Sequence, residues 1–533
     1  MAGTAEGWEA GGVDASVDRR TPAGKQGQPP SPPGRTTDPG HPAGLGVLLA
    51  ACVSALIVNA NTSAVTILLP AISEDLNAPI DQLQWAVTGY MLVGAAVIVT
   101  SGALGDVFGR RKVFLAGLVL FVVSCVLIAV VPTGAGVVAG RMIQGAAGST
   151  LLACGMSLLS VASSGAAGMR AITLWGAASA AGAAIGPLIG GVLVGLTGWQ
   201  GLFWIDAAIA AALIPVTLLT VKESRDPNRP RSIDFAGTVL IAVVLVPIVL
   251  GLSKGADWGW VSAGTVVCLV ISALGAIAFV QVEKRVAAPL VDLALLRNAI
   301  LVGATLVILI VAGAINALMY VISLYFQDPA TFGMDPLQAG LATLPAAAAM
   351  IAVTPLITPV AVKIGSRSAI ALGFGLAAAA LLVLVFVRPS WTYAAFVLPL
   401  AVTAIGLGLA NGPASSASTA TVSSDQVGQA SGISNMARYV GGSLAVAAAG
   451  SIFSATASAQ QATGQSAADA LAAGLSGAAI LLTIMAAAGI PLALLMGRHH
   501  PPRQQAIHRV AAAAIIVHTI PTPSQRPAPA PRR

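Results

Sequence analysis

Along its length the chain alternates long apolar runs with short polar or Gly/Pro breaks, and fourteen of the runs are long enough to cross a bilayer. A hydrocarbon core about 30 Å thick needs about 20 helical residues at a rise of about 1.5 Å each. The runs cover residues 45–69, 86–107, 113–132, 137–159, 171–195, 200–221, 235–253, 260–281, 299–325, 338–361, 368–388, 392–413, 435–456 and 474–497. None has the ten-residue alternation of a barrel strand, and backbone groups in lipid must be bonded within their own segment. The pattern therefore predicts an all-α integral membrane protein with 14 transmembrane helices.

Composition sharpens this picture. Of 533 residues, 56% are hydrophobic and 9% charged, where a soluble domain carries roughly a quarter. The formal charge of +7 is dispersed between apolar runs and forms no solvated patch, so no nucleic-acid partner is expected. It reads instead as topology. With the amino terminus inside, 24 of the 27 Lys and Arg fall on the inner side, leaving Arg141, Lys254 and Arg388. Trp85, Trp199, Trp204, Trp258, Trp260 and Trp391 fall at the opposite ends of the spans, as an interfacial belt requires. A multi-pass protein of the plasma membrane with both termini cytoplasmic is expected.

Several function classes drop out. Cys52, Cys125, Cys154 and Cys268 lie in apolar runs without CxxC spacing, which argues against a disulfide scaffold, a zinc site or a redox pair. The five histidines lie in the two tails, and no span carries H-E-x-x-H or G-x-S-x-G, so no enzyme, metal or cofactor is expected. Residues 1–44 lack the apolar core of a cleavable signal, and the first span is expected to act as its own insertion signal. Tails of 44 and 36 residues hold no phosphate-binding loop, so ATP is not the expected motor. The apolar stretch Val510 to Val517 in the second tail is too short to span.

Between spans two and three stands Gly102-Ala-Leu104-Gly-Asp106-Val-Phe-Gly109-Arg110-Arg111-Lys112. A positive-inside turn explains the cations but not the Asp at the end of an otherwise uncharged helix. Here the chain resembles the major facilitator superfamily, whose loop at this place reads G-x-L-x-D-x-x-G-R-[RK]-[RK]. The resemblance implies a gating role for Asp106 and Arg110 where helix ends meet, with Gly102, Gly109 and Arg111 completing the motif. A degenerate copy follows span ten: aligning Gly365 with Gly109 sets Thr358, Val360, Val362, Ser366 and Arg367 on the motif positions, with the carboxylate lost. Such an internal repeat suits a transporter of two related halves.

Span four opens with Arg141-Met-Ile-Gln144-Gly, and the family carries R-x-x-Q-G there. Arg141 either snorkels to the outer surface or influences a nearby carboxylate, with Gln144 on the same face. Span five reads Gly182-Ala-Ala-Ile-Gly186-Pro187-Leu-Ile-Gly190-Gly191. Small residues at i, i+4 and i+8 make a stripe on which another helix packs closely, and Pro187 frees a carbonyl. Packing alone does not account for the Gly-Pro followed by paired Gly. The run matches the antiporter signature of exporters in the superfamily, which implies the direction of transport.

Fourteen spans and several strings, among them Ser232-Ile-Asp234-Phe-Ala-Gly237, Pro336-Leu-Gln338 and Arg438-Tyr-Val-Gly441-Gly442, resemble the fourteen-span drug:proton antiporters. The likeness covers roughly residues 45–497. It implies two six-helix bundles, 45–221 and 299–497, around a central cavity, with two inserted helices in a linker, 222–298, and cytoplasmic tails 1–44 and 498–533. The family commonly has an Asp in span one nine residues before a Pro. Counting back from Pro70 gives Asn61, and an amide carries no proton. The carboxylate well inside a span is instead Asp206, roughly 9 Å from the start of span six. Asp206 and Arg141 are therefore the proton-coupling candidates. The alternatives are a carboxylate facing a watery vestibule or a static pair with Arg141.

Asn316 and Tyr320 share a face of span nine and, with Asn61 and Gln144, are candidates to line a substrate cavity, although such side chains also serve packing. The expected function is secondary-active export of small amphipathic molecules, multidrug or antibiotic, by proton antiport, by a monomer in the lipid bilayer. Export of one metabolite or siderophore, or a non-transporting receptor or scaffold with coupling lost, are the alternatives. The cavity residues leave the substrate's charge open.

Overall fold

The computed structural model describes residues 43–163, 165–225, 234–286, 289–422 and 426–496. The segments 1–42 and 497–533, which hold nearly all of both expected tails and the stretch Val510 to Val517, lie outside the described residues. Fourteen long helices, each apolar enough to cross a membrane, make up the described chain. They are α1 (Leu45–Leu76), α2 (Ile80–Phe108), α3 (Arg110–Val130), α4 (Gly134–Ala162), α5 (Gly165–Thr197), α6 (Gln200–Thr220), α7 (Phe235–Trp258), α8 (Ala263–Glu283), α9 (Ala299–Gln327), α10 (Pro336–Ile364), α11 (Ser366–Val385), α12 (Tyr393–Ala420), α13 (Val427–Ala462) and α14 (Ala467–Leu495).

Every expected span is matched by one helix, and several helices outrun the apolar stretch that announced them. α13 begins at Val427 rather than at residue 435. Its extra turns carry Gln429, Ser431 and Ser434, which end a hydropathy window. Ser434 is buried in protein, so these turns need not be apolar. α1 likewise runs past Pro70 to Leu76, and Trp199 Nε1 donates to Asp75 Oδ2 at 2.8 Å, pinning its end to the start of α6. Helix starts follow local chemistry. Asp335 and Gln338 form a reciprocal capping box at α10, and Asp234 caps α7 by accepting from Gly237 N at 2.6 Å. Two of the family-like strings are therefore helix-start devices.

α1 to α6 pack into one bundle and α9 to α14 into a second. α7 lies across the seam between α2 and α13, and α8 packs chiefly on α7. α7 is tied to α2 at both ends, by the hydroxyl pair Thr100–Thr238 at 2.5 Å and by Lys254 Nζ with Asp81 Oδ2 at 2.5 Å. Near the first of these, Asp234 Oδ2 and Glu283 Oε1 are buried without a donor and converge on Gly237. Val291, in the segment after α8, donates to Glu283 Oε2 and packs on Ala430 and Ile433 of α13. The inserted pair thus bridges both bundles.

Two seams join the bundles at the end of the molecule opposite the α2–α3 turn. Gln327 Nε2 and Ser323 Oγ of α9 donate to the Ile67 and Thr66 carbonyls of α1 at 2.9 and 3.1 Å. A Cβ on Gly191 of α5 would stand 2.5 Å from Leu337 Cα of α10. The α2–α13 seam runs along one side, where Gln84 Nε2 donates to the Val446 carbonyl at 2.9 Å and Ser431 lies beside Met156. Among the described residues α4 and α12 pack chiefly within their own bundles, and the end that carries the basic turn is crossed on the α2–α13 side, where Ser431 of α13 approaches Met156 of α4.

Candidate functional site

Four polar side chains that sequence scatters over 145 positions meet inside the first bundle. Arg141 of α4 is fully buried. Its Nη1 donates at 2.5 Å to Asn61 Oδ1 of α1 and at 2.5 Å to Gln144 Oε1 one turn on, and its Nε donates to the Ala86 carbonyl at 3.0 Å. Asn61 Nδ2 donates in turn to Asp206 Oδ2 of α6 at 2.6 Å. The guanidinium stacks 4.2 Å from the centre of the Tyr90 ring, and Gln144 reaches Cys125 Sγ at 3.0 Å. Five of the first six helices contribute.

Asn61 therefore stands between cation and carboxylate, its amide oxygen accepting from one and its NH2 donating to the other. Neither outer-surface snorkelling nor a water-filled vestibule describes the arrangement, since Arg141 is 0% and Asp206 5% exposed. The two charges compensate each other through a neutral relay, in a setting where an unpaired ion would be costly. Asn61 and Gln144, expected as cavity lining, belong to this cluster. Tyr320 is buried beside Gly450 of α13, and Asn316 is half-buried with Nδ2 on the Ala312 carbonyl at 2.8 Å. No local pattern singles out Tyr90 as a member of the cluster. Its part depends on Gly145 and Gly148 of α4, where a Cβ would collide with the Tyr90 carbonyl and hydroxyl.

The glycine run of α5 has two faces. A Cβ on Gly182 would meet the Leu56 carbonyl and one on Gly186 would meet the Ala60 carbonyl and Ser63 Oγ, while Gly190 sits against Ala64. This face is seated on α1, along the turns that carry Asn61. Gly191 and Pro187 face the other bundle, with Gly340 of α10 against the Pro187 carbonyl. The signature thus joins α1, which helps hold the charge cluster, to α10 of the partner bundle.

The α2–α3 turn pivots on Gly109, whose φ of +118° favours glycine. Asp106 Oδ1 accepts from Arg110 Nη2 at 2.8 Å and Nε at 3.0 Å. Arg110 N donates to the Ser224 carbonyl at 2.9 Å, Arg111 N to Glu223 Oε1 at 3.1 Å, and Arg111 Nη2 to the Leu218 carbonyl at 2.5 Å. These contacts of the two arginines go to the end of α6, in their own bundle. Gly102 faces open space, so close packing does not require that glycine in this conformation. Gly365, at φ +87°, makes the matching turn between α10 and α11.

A family model described as Major Facilitator Superfamily matches residues 51–446. The chain belongs to the major facilitator superfamily. Among its curated relatives in that superfamily, the multidrug resistance protein Stp of Mycobacterium tuberculosis is 31% identical over 413 residues, covering 77% of this chain and 75% of Stp. The tetracenomycin C resistance and export protein of Streptomyces glaucescens is 29% identical over 407 residues, 76% and 74% of the two chains. The cephamycin export protein CmcT of Amycolatopsis lactamdurans is 29% identical over 408 residues, 75% and 83%. An auto-inhibited POT family peptide transporter, 15% identical, superposes with a TM-score of 0.62 over 86% of this chain and 97% of its own, which shows the shared superfamily fold.

Proposed function

We propose that this superfamily member is a secondary-active exporter of amphipathic small molecules, multidrug or antibiotic, driven by proton antiport. The observation that carries the reading is the glycine face of α5 seated on the turns of α1 that hold Asn61, so that the helix with the exporter-type signature abuts the helix whose amide donates to Asp206. Relatives named for resistance and export support the direction. The basic end is taken as cytoplasmic on the 24-to-3 asymmetry of Lys and Arg, so the cytoplasmic opening is read at the end where, among the described residues, α4 and α12 pack chiefly within their own bundles. Asp106 and Arg110 then form a latch near that opening.

In this reading Asp206 carries the proton. When it is ionised, Asn61 and Arg141 hold α1, α4 and α6 together through one relay; a proton on the carboxyl removes the charge that Arg141 balances and loosens that relay. A proton moving down about 100 mV supplies about 2.3 kcal/mol, enough for modest accumulation. Asp206→Asn keeps an acceptor for Asn61 but cannot ionise. In proteoliposomes with an imposed pH gradient, this variant is expected to bind a fluorescent amphiphile and to lose gradient-driven uptake. Retained pH-driven transport would remove Asp206 from the coupling role.

The orientation has its own check. Val261, in the α7–α8 turn, is 91% exposed. Val261→Cys is expected to react with a membrane-impermeant thiol reagent applied to intact cells, the native thiols being buried or half-buried. Labelling only after permeabilisation would reverse the topology.

A further inference from the structure

Within the described helices the charges of Arg141 and Asp206 balance through Asn61, but the half-buried Arg438, toward the inner end of its span, has no such balance. Arg438 lies eleven residues into α13, roughly 17 Å along the helix. Its Nη2 donates to Ser415 Oγ of α12 at 2.8 Å, and no carboxylate among the described residues pairs with it. One turn from Arg438 on α13, Ser434 Oγ is buried without a hydrogen-bond partner; one turn from Ser415 on α12, Asn411 Oδ1 is too. One turn in the other direction, Gly442 faces the side-chain amide of Asn316 on α9, 3.4 Å from where a Cβ would stand. Helix spacing thus sets Arg438, Ser434, Ser415 and Asn411 within a turn of one another along α13 and α12, with Asn316 of α9 beyond Gly442, and the Ser434 hydroxyl and Asn411 carbonyl oxygen are left unpaired.

Such an arrangement is costly as a purely structural device. A half-buried guanidinium in an apolar span gains from a counter-charge, and a buried carbonyl oxygen needs a donor. Replacing Arg438 and Asn411 by apolar residues would remove both penalties. A bound molecule bearing an anionic group and a hydroxyl satisfies both, because a carboxylate accepts two parallel bonds from an arginine and a hydroxyl donates to an amide oxygen. In the first bundle the arginine has side-chain partners in Asn61 and Gln144 and is linked through Asn61 to a carboxylate, which Arg438 is not.

We propose that Arg438 and Ser415 form the subsite for the anionic group of the exported compound, so that the preferred substrates are amphipathic organic acids. The proposal rests on the export reading above and narrows it to a substrate class. Asn411 and Ser434 receive the hydroxyl groups of the same ligand. The positive charge of the subsite disfavours organic cations, which sets the selectivity that sequence composition leaves open.

The test uses the full-length protein in nanodiscs and two probes of nearly equal size, 6-hydroxy-2-naphthoic acid and its methyl ester. Wild type is expected to bind the acid at least about tenfold tighter than the ester, the loss of a charge-assisted hydrogen bond being about a tenfold to hundredfold effect. Arg438→Gln is expected to abolish that preference by weakening the acid at least about tenfold more than the ester, and Arg438→Lys to retain part of it. Equal binding of acid and ester by wild type overturns the proposal even if the variants fail to fold, and so does an unchanged acid preference in Arg438→Gln. Efflux assays separate the two readings. Vesicles that concentrate a cationic amphiphile but neither naphthoate probe leave export standing and refute the acidic-substrate subsite, whereas vesicles that move none of the three refute export and the subsite with it.

Discussion

Gly186→Leu is expected to abolish transport of a fluorescent amphiphile while leaving detectable protein in the membrane. At this position even a methyl group would overlap the Ala60 carbonyl oxygen and Ser63 Oγ. A side-chain hydroxyl can turn away, but a carbonyl inside a helix moves only with the helix. Leu therefore forces α5 off α1, and the displacement reaches both neighbours of that contact: Asn61, next to Ala60 in α1, and the Gly191 to Leu337 approach that helps join the bundles. Overpacking of this kind commonly costs roughly 1–3 kcal/mol, enough to shift the balance between conformations. Gly176, in the same helix, has nothing within 4 Å of the place a Cβ would take and serves as the control, with Gly176→Ala expected to transport normally. Wild-type efflux from Gly186→Leu, with protein levels matched by immunoblot, would show that the α1–α5 approach is dispensable.

Arg141→Met is expected to be more damaging than any change to its partners taken singly. It removes the cation that balances Asp206 and strips Asn61 Oδ1, Gln144 Oε1 and the Ala86 carbonyl of a donor in one step. Breaking one side of a buried charge pair costs roughly 3–5 kcal/mol because the other side is left uncompensated. Lower yield from the membrane and a lower thermal midpoint in detergent are the expected readouts. Adding Asp206→Asn to Arg141→Met should restore part of the midpoint, since the stranded charge is then gone, and transport should stay lost. A double variant that is less stable than Arg141→Met would mean that Arg141 stabilises through packing on Tyr90 rather than through charge.

The membrane architecture is written in the apolar runs themselves. Segment length, the confinement of charge to breaks, and the backbone's need for internal hydrogen bonds leave a helix as the solution for each apolar run, and these requirements are local. The turn glycines Gly109 and Gly365 were legible because each answers to its own turn, and the stripe from Gly182 to Gly190 because its period marks a close helix contact without naming the partner, which is α1. Helix ends were read less well where polar residues such as Gln429 and Ser431 ended an apolar window, because hydropathy cannot tell a residue facing protein from one facing lipid. Which polar groups meet was decided by tertiary structure. Asn61, Arg141 and Asp206 are each odd in their own spans, yet only the packing of α1, α4 and α6 sets the amide between the two charges, and only the meeting of α12 and α13 leaves Arg438 with a hydroxyl for a partner. A helix pattern fixes the face on which a side chain lies; which face of which helix lies opposite depends on contacts made across the whole bundle, and these leave no period in the chain.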